Sequence, residues 1–424
     1  MKKLPPHSKL AFIICILAAA FYMYEFTLQV SLGVMTNELM RDLNLNAASV
    51  GLVSAFYFYA YTPMQIPAGF LHDRFGPRRT LTIAILTCAI GALSFSYSNS
   101  IAHASLARFL MGIGSAFSFS GALMLIARWF PAKHFAVLSG FVQLMSSVGA
   151  IGGEVPLAAA INQWGWRHST FFLAILGLGL AFVVWMIVRD FPSHQASSSQ
   201  HHQHPHSDHS PNFKLLFGRT QVWWTALYSF LIWAPIAAFA GLWGIPFLVS
   251  AYHLTTQTAS LACATIWVGI GIGSPLSGWI SEQIERRCIV LATCAAIGMI
   301  AVTVVIYCTV SMPILYVLLF LVGIAGGGQS LAFCVVHDNS HPKSIGAAIG
   351  LNNMATVAGG AVLQPLIGYL LYLNWNGSMS GHTPFYNTHD YRLGLLMIPV
   401  CYLLAFIISS KCLKETYCKQ LLSH

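Results

Sequence analysis

Long apolar runs separated by short polar segments extend along the whole chain. A helix needs about 20 apolar residues to cross the hydrocarbon core of a bilayer. Twelve runs come close to that length or exceed it, so the pattern predicts an all-α membrane protein with twelve transmembrane helices. The predicted spans are residues 10–35, 47–71, 80–98, 102–127, 135–160, 169–188, 221–250, 258–281, 288–308, 313–337, 344–373 and 393–411.

The longest polar stretch, residues 189–220, falls between the sixth and seventh spans. Its low-complexity composition cannot build a core. Its histidines could bind a metal loosely, but no acidic or cysteine ligand geometry accompanies them, so we interpret the stretch as a solvated cytoplasmic linker and predict no metal site. Those histidines are His194, His201, His202, His204, His206 and His209. The predicted domains are a six-helix bundle (1–189), the His-rich linker (190–220) and a second six-helix bundle (221–424).

Composition excludes several classes of protein. Hydrophobic residues make up 56 % of the chain and charged residues 8 %, whereas soluble domains carry about 25 % charged residues. A soluble globule with so few charges could not cover its surface, which excludes a cytosolic enzyme, a secreted disulfide scaffold and a disordered chain. The ten cysteines form no CxxC pair and nearly all lie in apolar runs, so they indicate packing positions. We predict no cofactor.

The basic residues indicate how the helices are oriented. With both termini in the cytoplasm, 17 of the 21 Lys and Arg residues fall in inside segments, and Arg41, Arg167 and Arg392 fall outside. One missed helix would invert every later loop, so this bias supports the count of twelve and predicts cytoplasmic termini. The net charge of +9 comes from loops between apolar runs and therefore does not indicate nucleic-acid binding. The expected partners are the bilayer and a small solute.

The two halves of the chain resemble each other at regular offsets of 209 to 211 residues. Such self-similarity indicates a duplicated six-helix unit. Parallel six-helix halves around an axis normal to the membrane form one transporter architecture, in which the substrate binds near the midplane between the halves. The matched positions are Gly69 with Gly278, Gly140 with Gly350, Met111 with Val322, and Glu154 with Gln364.

The loop between the second and third spans carries a specific motif. GFLHDRFGPRR, residues 69–79, resembles at every defining position the signature loop G-x-x-x-D-R-x-G-x-R-R of the major facilitator superfamily. The resemblance implies the major facilitator fold of two pseudo-symmetric six-helix bundles, with a gate latch in this loop. Physically, Asp73 can pair with basic groups or cap a neighbouring helix, and Arg78 and Arg79 favour the cytoplasmic side. The predicted gating residues are Gly69, Asp73, Arg74, Gly76, Arg78 and Arg79.

Three charged residues lie inside apolar runs: Glu25 in the first span, Arg108 in the fourth and Glu154 in the fifth. Charge at membrane depth is costly unless it is paired or wetted, so all three are expected to face the bundle interior. Arg108 either holds helices together as a charge partner or steers protonation and an anionic substrate. Glu25 and Glu154 either bind and release a proton during transport or only neutralise Arg108.

Neutral polar and aromatic side chains complete the predicted pathway. Residues three or four positions apart on a helix share a face, and the first two spans each carry one such polar stripe. The second half offers neutral polar groups, which suggests proton handling in the first half and substrate recognition shared by both. Aromatic stripes also arise from packing alone. The predicted substrate and proton pathway is Tyr22, Glu25, Gln29, Tyr57, Tyr61, Gln65, Arg108, Gln143, Glu154, Trp233, Gln329 and Asn353.

A second resemblance concerns residues 22–170. The segments YEFTLQVSLGVMTNELMRDL and ARWFPAKHFAVLSGFVQLMSSVGAIGGE look like the phagosomal-transporter (Pht) branch of the superfamily, found in intracellular bacteria. The resemblance implies uptake of amino acids or nucleosides. We therefore expect a monomeric secondary active transporter of the bacterial inner membrane that takes up such a metabolite by alternating access, coupled to protons.

Two alternatives stay open. The fold also serves efflux pumps and organic-anion exchangers, although Ala150 stands where drug antiporters with a GPxxGG pattern have proline. A transport-derived nutrient sensor would bind its ligand without moving it, a role to which residues 189–220 are poorly suited. An enzyme is not expected, because the sequence contains no HExxH, nucleophile elbow or P-loop.

Overall fold

The computed structural model describes residues 7–131, 134–191, 219–340, 345–381 and 383–418. The apolar runs of the first half fold into helices that are separated by short turns. They are α1 (His7–Val30), a 3-10 helix (Ser31–Val34), α2 (Thr36–Asp42), α3 (Ala47–Phe75), α4 (Pro77–Ser96), α5 (Ile101–Ser115), α6 (Ser118–Trp129) and α7 (Phe135–Ile187).

The second half repeats this order of helices and adds a short hairpin before its last crossing. Its elements are α8 (Thr220–Ala238), a π-helical turn (Phe239–Trp243), α9 (Gly244–Tyr252), α10 (Thr256–Gln283), α11 (Arg287–Tyr307), α12 (Met312–Gly326), α13 (Gly328–Asn339), α14 (Ile345–Asn374), the antiparallel strands β1 (Met379–Ser380) and β2 (Thr383–Pro384), α15 (Thr388–Gly394), α16 (Met397–Ile407) and a second π-helical turn (Ile408–Cys412).

The predicted His-rich linker falls almost entirely outside the described residues. Residues 192–218, which include all six of its predicted histidines, are not among them. The linker and the domain boundaries that it sets therefore stay predictions.

The prediction of twelve crossings is confirmed. Ten helical segments of the described chain are long and apolar enough to cross a membrane, and one of them, Val137–Ile187, has 51 residues. That segment is about 77 Å long at 1.5 Å per residue, more than twice the ~30 Å hydrocarbon core, so it crosses twice. The twelfth crossing is α3, whose polar Tyr and Gln side chains reduce its hydropathy but whose 29 residues suffice in length.

A single residue, Gly165, separates the fifth crossing from the sixth. Its backbone angles, φ 77° and ψ 162°, are non-helical and lie in a region that glycine adopts readily. The predicted spans 135–160 and 169–188 are therefore joined by one residue and not by a loop. Hydropathy places the break between residues 160 and 169 but does not show that it is one residue wide, because the chain is helical on both sides of Gly165.

Asp42, at the end of α2, holds the turn at Gly165 in place. The indole Nε1 of Trp166 donates to its carboxylate at 2.9 Å, and Arg167 donates at 3.2 Å. Partial burial opposes ionisation, but the hydrogen bonds from Arg41 and Trp166 hold the pKa of Asp42 below its ordinary value. The turn is thus tied to the neighbouring helix by a charged group outside the apolar spans.

The fourth and tenth crossings are interrupted at equivalent positions. Helix α5 ends at Ser115 and α12 ends at Gly326, a separation of 211 residues that equals one of the repeat offsets. A Cβ atom on Gly327 would lie 2.3 Å from the carbonyl carbon of Gly273, so the interruption lets α13 approach α10 closely. The matching breaks support the predicted duplication.

The outer surface of the bundles is apolar. Large hydrophobic side chains that point outward include Leu106, Phe182, Ile300 and Val317, each more than half exposed. A continuous surface of this kind is unfavourable in water and suits contact with acyl chains. The protein is therefore a multi-pass membrane protein.

The two bundles meet at one end and separate at the other. We call the end that carries the β1–β2 hairpin and Gly165 the hairpin end, and the end that carries Gly76 and Asp190 the motif end. At the hairpin end a Cβ atom on Gly51 would lie 2.7 Å from the carbonyl oxygen of Gln364. There the Ala47 N–H of one bundle also donates to the Tyr386 hydroxyl of the other at 3.0 Å.

At the motif end the described residues show no such close approach at four glycines. A Cβ atom on Gly69, Gly140, Gly278 or Gly350 would meet no described heavy atom within 4 Å. The space between the bundles therefore opens toward the motif end.

Candidate functional site

A cavity of about 310 Å³ lies between the two bundles. Its described lining combines aromatic rings, carboxamides and hydroxyl groups and includes no Lys, Arg, His, Asp or Glu. Pockets with convergent polar groups among apolar walls are typical of small-molecule sites. The lining residues are Tyr22, Phe26, Gln29, Tyr57, Phe58, Tyr61, Phe119, Gln143, Trp233, Gln329, Ser330, Phe333, Ile349, Asn353, Thr356 and Val357.

Eight of the twelve predicted pathway residues line this cavity. The other four, Glu25, Gln65, Arg108 and Glu154, do not line it, but all have described hydrogen-bond partners. Their roles stay predictions. The eight that line it are Tyr22, Gln29, Tyr57, Tyr61, Gln143, Trp233, Gln329 and Asn353.

Glu25 lies directly behind the cavity wall. It is fully buried, and the Tyr57 hydroxyl donates to its Oε1 at 2.6 Å. Its Oε2 has no hydrogen-bond partner among the described residues. Tyr57 stacks on Tyr61 with ring centroids 5.8 Å apart, and both rings face the cavity. One phenol therefore connects a buried carboxyl group to the space between the bundles.

Arg108 is also fully buried but binds backbone and not a carboxylate. Its guanidinium donates to the carbonyl oxygens of Leu28 at 2.7 Å and Gln29 at 3.2 Å, and it lies 4.7 Å from the centre of the Tyr57 ring. These carbonyls belong to the last turn of α1, where carbonyl groups lose their helical partners and a cation is favourable. Among the described residues Arg108 forms no ion pair with Glu25 or Glu154.

Glu154 lies at the contact between the bundles. It is fully buried in α7, and the indole Nε1 of Trp267, from α10 of the other bundle, donates to its Oε1 at 2.6 Å. Its Oε2 has no partner within the described part of the chain. Neither glutamate forms an ion pair with Arg108 among the described residues, and both predicted roles of the glutamates stay predictions.

A hydrogen bond joins the two bundles beside the cavity. The Asn353 amide on α14 donates to the side-chain oxygen of Gln65 on α3 at 3.0 Å. On the same side, Gln329 donates to the Thr356 hydroxyl at 3.3 Å. The amides that face the cavity are therefore held by neutral partners and keep further donor and acceptor capacity for a solute.

The motif loop is anchored by a residue outside the motif. Gly76, with φ 79°, turns the chain between α3 and α4, and the carboxylate of Asp190 accepts from the Arg78 N–H at 2.8 Å. The Arg78 guanidinium stacks over Trp185 at 4.5 Å. Asp73, Arg74 and Arg79 are exposed, so the cap that the sequence suggested for Asp73 is provided here by Asp190.

Comparisons with known proteins agree with this architecture. The family model of the Major Facilitator Superfamily matches residues 10–363, and again 236–415. The chain belongs to the Major Facilitator Superfamily. Among curated relatives, the probable galactarate/D-glucarate transporter of Escherichia coli is 24 % identical over 400 residues, covering 85 % of this chain and 86 % of its own. The gentisate transporter of Corynebacterium glutamicum is 22 % identical over 371 residues, covering 84 % and 80 %.

Solved facilitators share the fold at low sequence identity. A bacterial homologue of the human lysosomal transporter Spinster, in an inward-facing and occupied conformation, matches with a TM-score of 0.77 at 15 % identity, covering 96 % of this chain and 97 % of its own. A D-xylose–proton symporter matches with a TM-score of 0.72 at 17 % identity, covering 97 % and 99 %. The prediction of a major facilitator transporter, and not an enzyme, is confirmed.

Sequence reasoning missed several residues of this facilitator's site. The apolar lining positions, such as Phe26, Phe119 and Phe333, resemble lipid-facing residues in a helix that is apolar all round. The sequence does not distinguish Trp267 from aromatic residues that serve packing alone, because its bond to Glu154 forms between distant helices. Asp190 gave no signal, since it follows α7 far from the motif in sequence.

The anchoring role of Asp190 in this facilitator is open to test. We expect Asp190→Ala to lower the free energy of unfolding by about 1 kcal/mol, the cost of losing a helix N-cap. The matched control is Asp73→Ala in the same motif, which removes an exposed carboxylate and should leave the melting temperature unchanged. Melting curves of the detergent-solubilised variants measure both. Equal melting temperatures for Asp190→Ala and the wild type would refute the anchor.

Proposed function

We propose that this facilitator takes up a small polar metabolite without net charge, of the amino-acid or nucleoside class, together with protons. The observation that carries the proposal is the uncharged lining of the cavity, where four carboxamides and three tyrosines converge among aromatic rings. Carboxamides offer both donors and acceptors, and rings bind planar or apolar parts of a solute. Such a lining suits solutes that need hydrogen bonds and no counter-charge.

The orientation that we propose follows the distribution of basic residues. Lys and Arg are concentrated at the motif end and in the segments on the same side of the membrane, which favours a cytoplasmic motif end. The cavity then opens to the cytoplasm, and the hairpin end is closed toward the outside. We propose a monomer in a bacterial inner membrane, with both termini in the cytoplasm.

Proton coupling is assigned to Glu25. Glu25 forms no ion pair within 4 Å in the described part of the chain. A buried carboxylate without such a partner is costly, whereas the neutral acid still accepts the hydrogen bond from Tyr57. In the outward-open state water reaches the wall and Glu25 takes up a proton as the solute binds. In the inward-open state the solute leaves its contact with Tyr57, and water again reaches the carboxyl group of Glu25. The proton is then released to the cytoplasm.

Organic-anion transport is the second candidate. The names of the curated relatives, which include galactarate/D-glucarate and gentisate transporters, favour it. A dianion, however, needs cations in its site, and Arg108 already gives hydrogen bonds to Leu28 and Gln29 from a fully buried position. The uncharged lining therefore favours the first candidate.

A thermal-shift panel on the purified protein tests the proposal. The probes are uridine, L-alanine, a neutral dipeptide, D-glucarate and gentisate. A ligand that binds only the folded state at a hundred times its Kd adds about 2.7 kcal/mol. We expect stabilisation by a neutral or zwitterionic probe and none by the two acids. Stabilisation by D-glucarate or gentisate alone would establish the second candidate.

Gln329 provides a matched test of the site. We expect Gln329→Leu to weaken binding of the stabilising probe about tenfold, equivalent to about 1.4 kcal/mol, because a cavity amide loses its hydrogen bonds. Gln163→Leu, at an exposed position of α7, is the control and should bind as the wild type does. Equal affinity of the Gln329 variant would remove this amide from the site.

A further inference from the structure

Glu154 and Glu25 look alike but differ in what holds them. Each is fully buried, accepts one short hydrogen bond at 2.6 Å from an aromatic side chain and has one oxygen without a described partner. The donor to Glu25, Tyr57, belongs to the same bundle. The donor to Glu154, Trp267, belongs to the opposite bundle. The Trp267–Glu154 bond must therefore break when the bundles separate, whereas the Tyr57–Glu25 bond need not.

Each partner of this bond is fixed to its own bundle. A Cβ atom on Gly153 would lie 2.6 Å from the Thr27 carbonyl oxygen, so α7 packs directly on α1. A Cβ atom on Gly269 would lie 2.3 Å from the Phe320 carbonyl oxygen, so α10 packs directly on α12. Glu154 therefore moves with the first bundle and Trp267 with the second.

Among the residues that the structure describes, no cation is paired with Glu154. Helix α1 presents Thr27 and Val30 to this part of α7. Helix α10 presents Trp267 and, one turn earlier, the buried thiol of Cys263. No Lys, Arg or His lies within 4 Å of the carboxyl group in the described part of the chain. A charged carboxylate here would be uncompensated, which costs several kcal/mol, whereas the neutral acid fits.

The repeat provides an internal comparison. The position equivalent to Glu154 in the second half is Gln364, a neutral side chain of nearly the same shape. Gln364 is fully buried, donates to the Ala237 carbonyl oxygen at 2.8 Å and also has a side-chain oxygen without a described partner. The fold thus accepts a neutral group at this position when the hairpin end is closed.

The same contact reaches the cavity. The Trp267 ring lies 6.1 Å from the Phe26 ring, and Phe26 lies 5.1 Å from Tyr22. Both Phe26 and Tyr22 line the cavity. A solute that contacts Phe26 is therefore linked through Phe26 and Trp267 to the hydrogen bond between Trp267 and Glu154.

We propose that Glu154 is a second proton-binding site, separate from Glu25, and that its proton keeps the hairpin end closed. Neutral Glu154 accepts the Trp267 hydrogen bond within a dry interface. Loss of the proton creates a charge that the single Trp267 N–H does not compensate, and water reaches this charge when the hairpin ends of the bundles part. This inference rests on the proposed function, proton-coupled alternating access. It assigns closure of the hairpin end to Glu154, which does not line the cavity.

Hydrogen–deuterium exchange on the purified full-length protein, without solute, tests this site. The reporters are peptides from the hairpin-end segments 47–58 and 359–371. Their exchange rates are measured from pH 5.5 to pH 8.5 and corrected for the intrinsic pH dependence of amide exchange. We expect protection in the wild type to fall with rising pH by up to tenfold per unit, the limit for one linked proton. Glu154→Gln should remain protected at pH 5.5 and at pH 8.5. Glu25→Gln, which removes the other proton site, should still lose protection as the pH rises.

A second variant keeps the test independent of whether Glu154→Gln folds. Trp267→Phe retains a ring and removes the N–H donor, so its hairpin-end segments should exchange faster at pH 5.5 and change less with pH. A Glu154→Gln protein that keeps the wild-type pH dependence, or a Trp267→Phe protein indistinguishable from wild type, overturns the proposal. If Glu25→Gln abolishes the pH dependence, the proton site is Glu25 and only the role of Glu154 fails. Because no solute is present, the result does not depend on the substrate class.

Discussion

Glu25→Gln protein should exchange solute across a membrane but should not accumulate it. Glutamine keeps the shape of the neutral acid and can still accept the hydrogen bond from Tyr57, so the cavity and the rocking of the bundles persist. It cannot carry a proton, so the proton gradient no longer drives the cycle. We expect uphill accumulation in vesicles to fall at least tenfold, to the level of equilibration, while counterflow of the stabilising probe remains within about twofold of wild type.

The control for this experiment is Glu285→Gln, which changes an exposed carboxylate beyond the end of α10 and should accumulate solute normally. Loss of counterflow together with accumulation would show that Glu25 is needed for folding or binding. Normal pH-driven accumulation by Glu25→Gln would remove Glu25 from proton coupling.

Gly149→Val should prevent the first bundle from folding. A Cβ atom at Gly149 would lie 2.1 Å from the carbonyl oxygen of Met23 and 2.8 Å from its carbonyl carbon, both backbone atoms that cannot rotate away. The Thr27 hydroxyl also donates to the Gly149 carbonyl at 2.8 Å, so the close approach of α1 and α7 cannot be relieved locally. Overpacking typically costs about 1–3 kcal/mol of folding free energy. We expect Gly149→Val to lower the free energy of unfolding by at least ~3 kcal/mol.

The matched control is Gly140→Ala on the same helix. Its Cβ atom would meet no described heavy atom within 4 Å, so its yield of monodisperse protein and its melting temperature should equal those of the wild type. Size-exclusion chromatography in detergent measures the yield. A well-folded Gly149→Val protein would contradict the close packing of α1 on α7.

The fold could be predicted because its signals are local. The length of each apolar run is enough to predict a membrane crossing. The motif at residues 69–79 is specific enough to identify the family. The break at Gly165 falls in the predicted gap between residues 160 and 169, but its width of one residue was not predicted, because a single residue with positive φ leaves hydropathy unchanged. The family was thus readable from the sequence, whereas the exact joint between the fifth and sixth crossings was not.

The site was predicted in part, for physical reasons. Buried charge is rare enough in a membrane helix that Glu25, Arg108 and Glu154 stood out without any structure. The pairings of Glu25 with Tyr57 and of Glu154 with Trp267 were not predicted, although Tyr57 is a predicted pathway residue, because these bonds join helices that sequence spacing cannot relate. Which solute the cavity takes depends on such contacts, so the Pht resemblance and the substrate class remain predictions.

Proton movement during transport is the most direct test of the central claim that a carboxyl group behind an uncharged cavity couples solute to protons. Vesicles containing the purified protein and a trapped pH dye receive, outside, the panel compound that stabilises the protein most. We predict that the lumen acidifies as this compound enters through the wild-type protein and does not acidify with Glu25→Gln. Entry and accumulation of the compound through the wild type without any acidification would contradict the account.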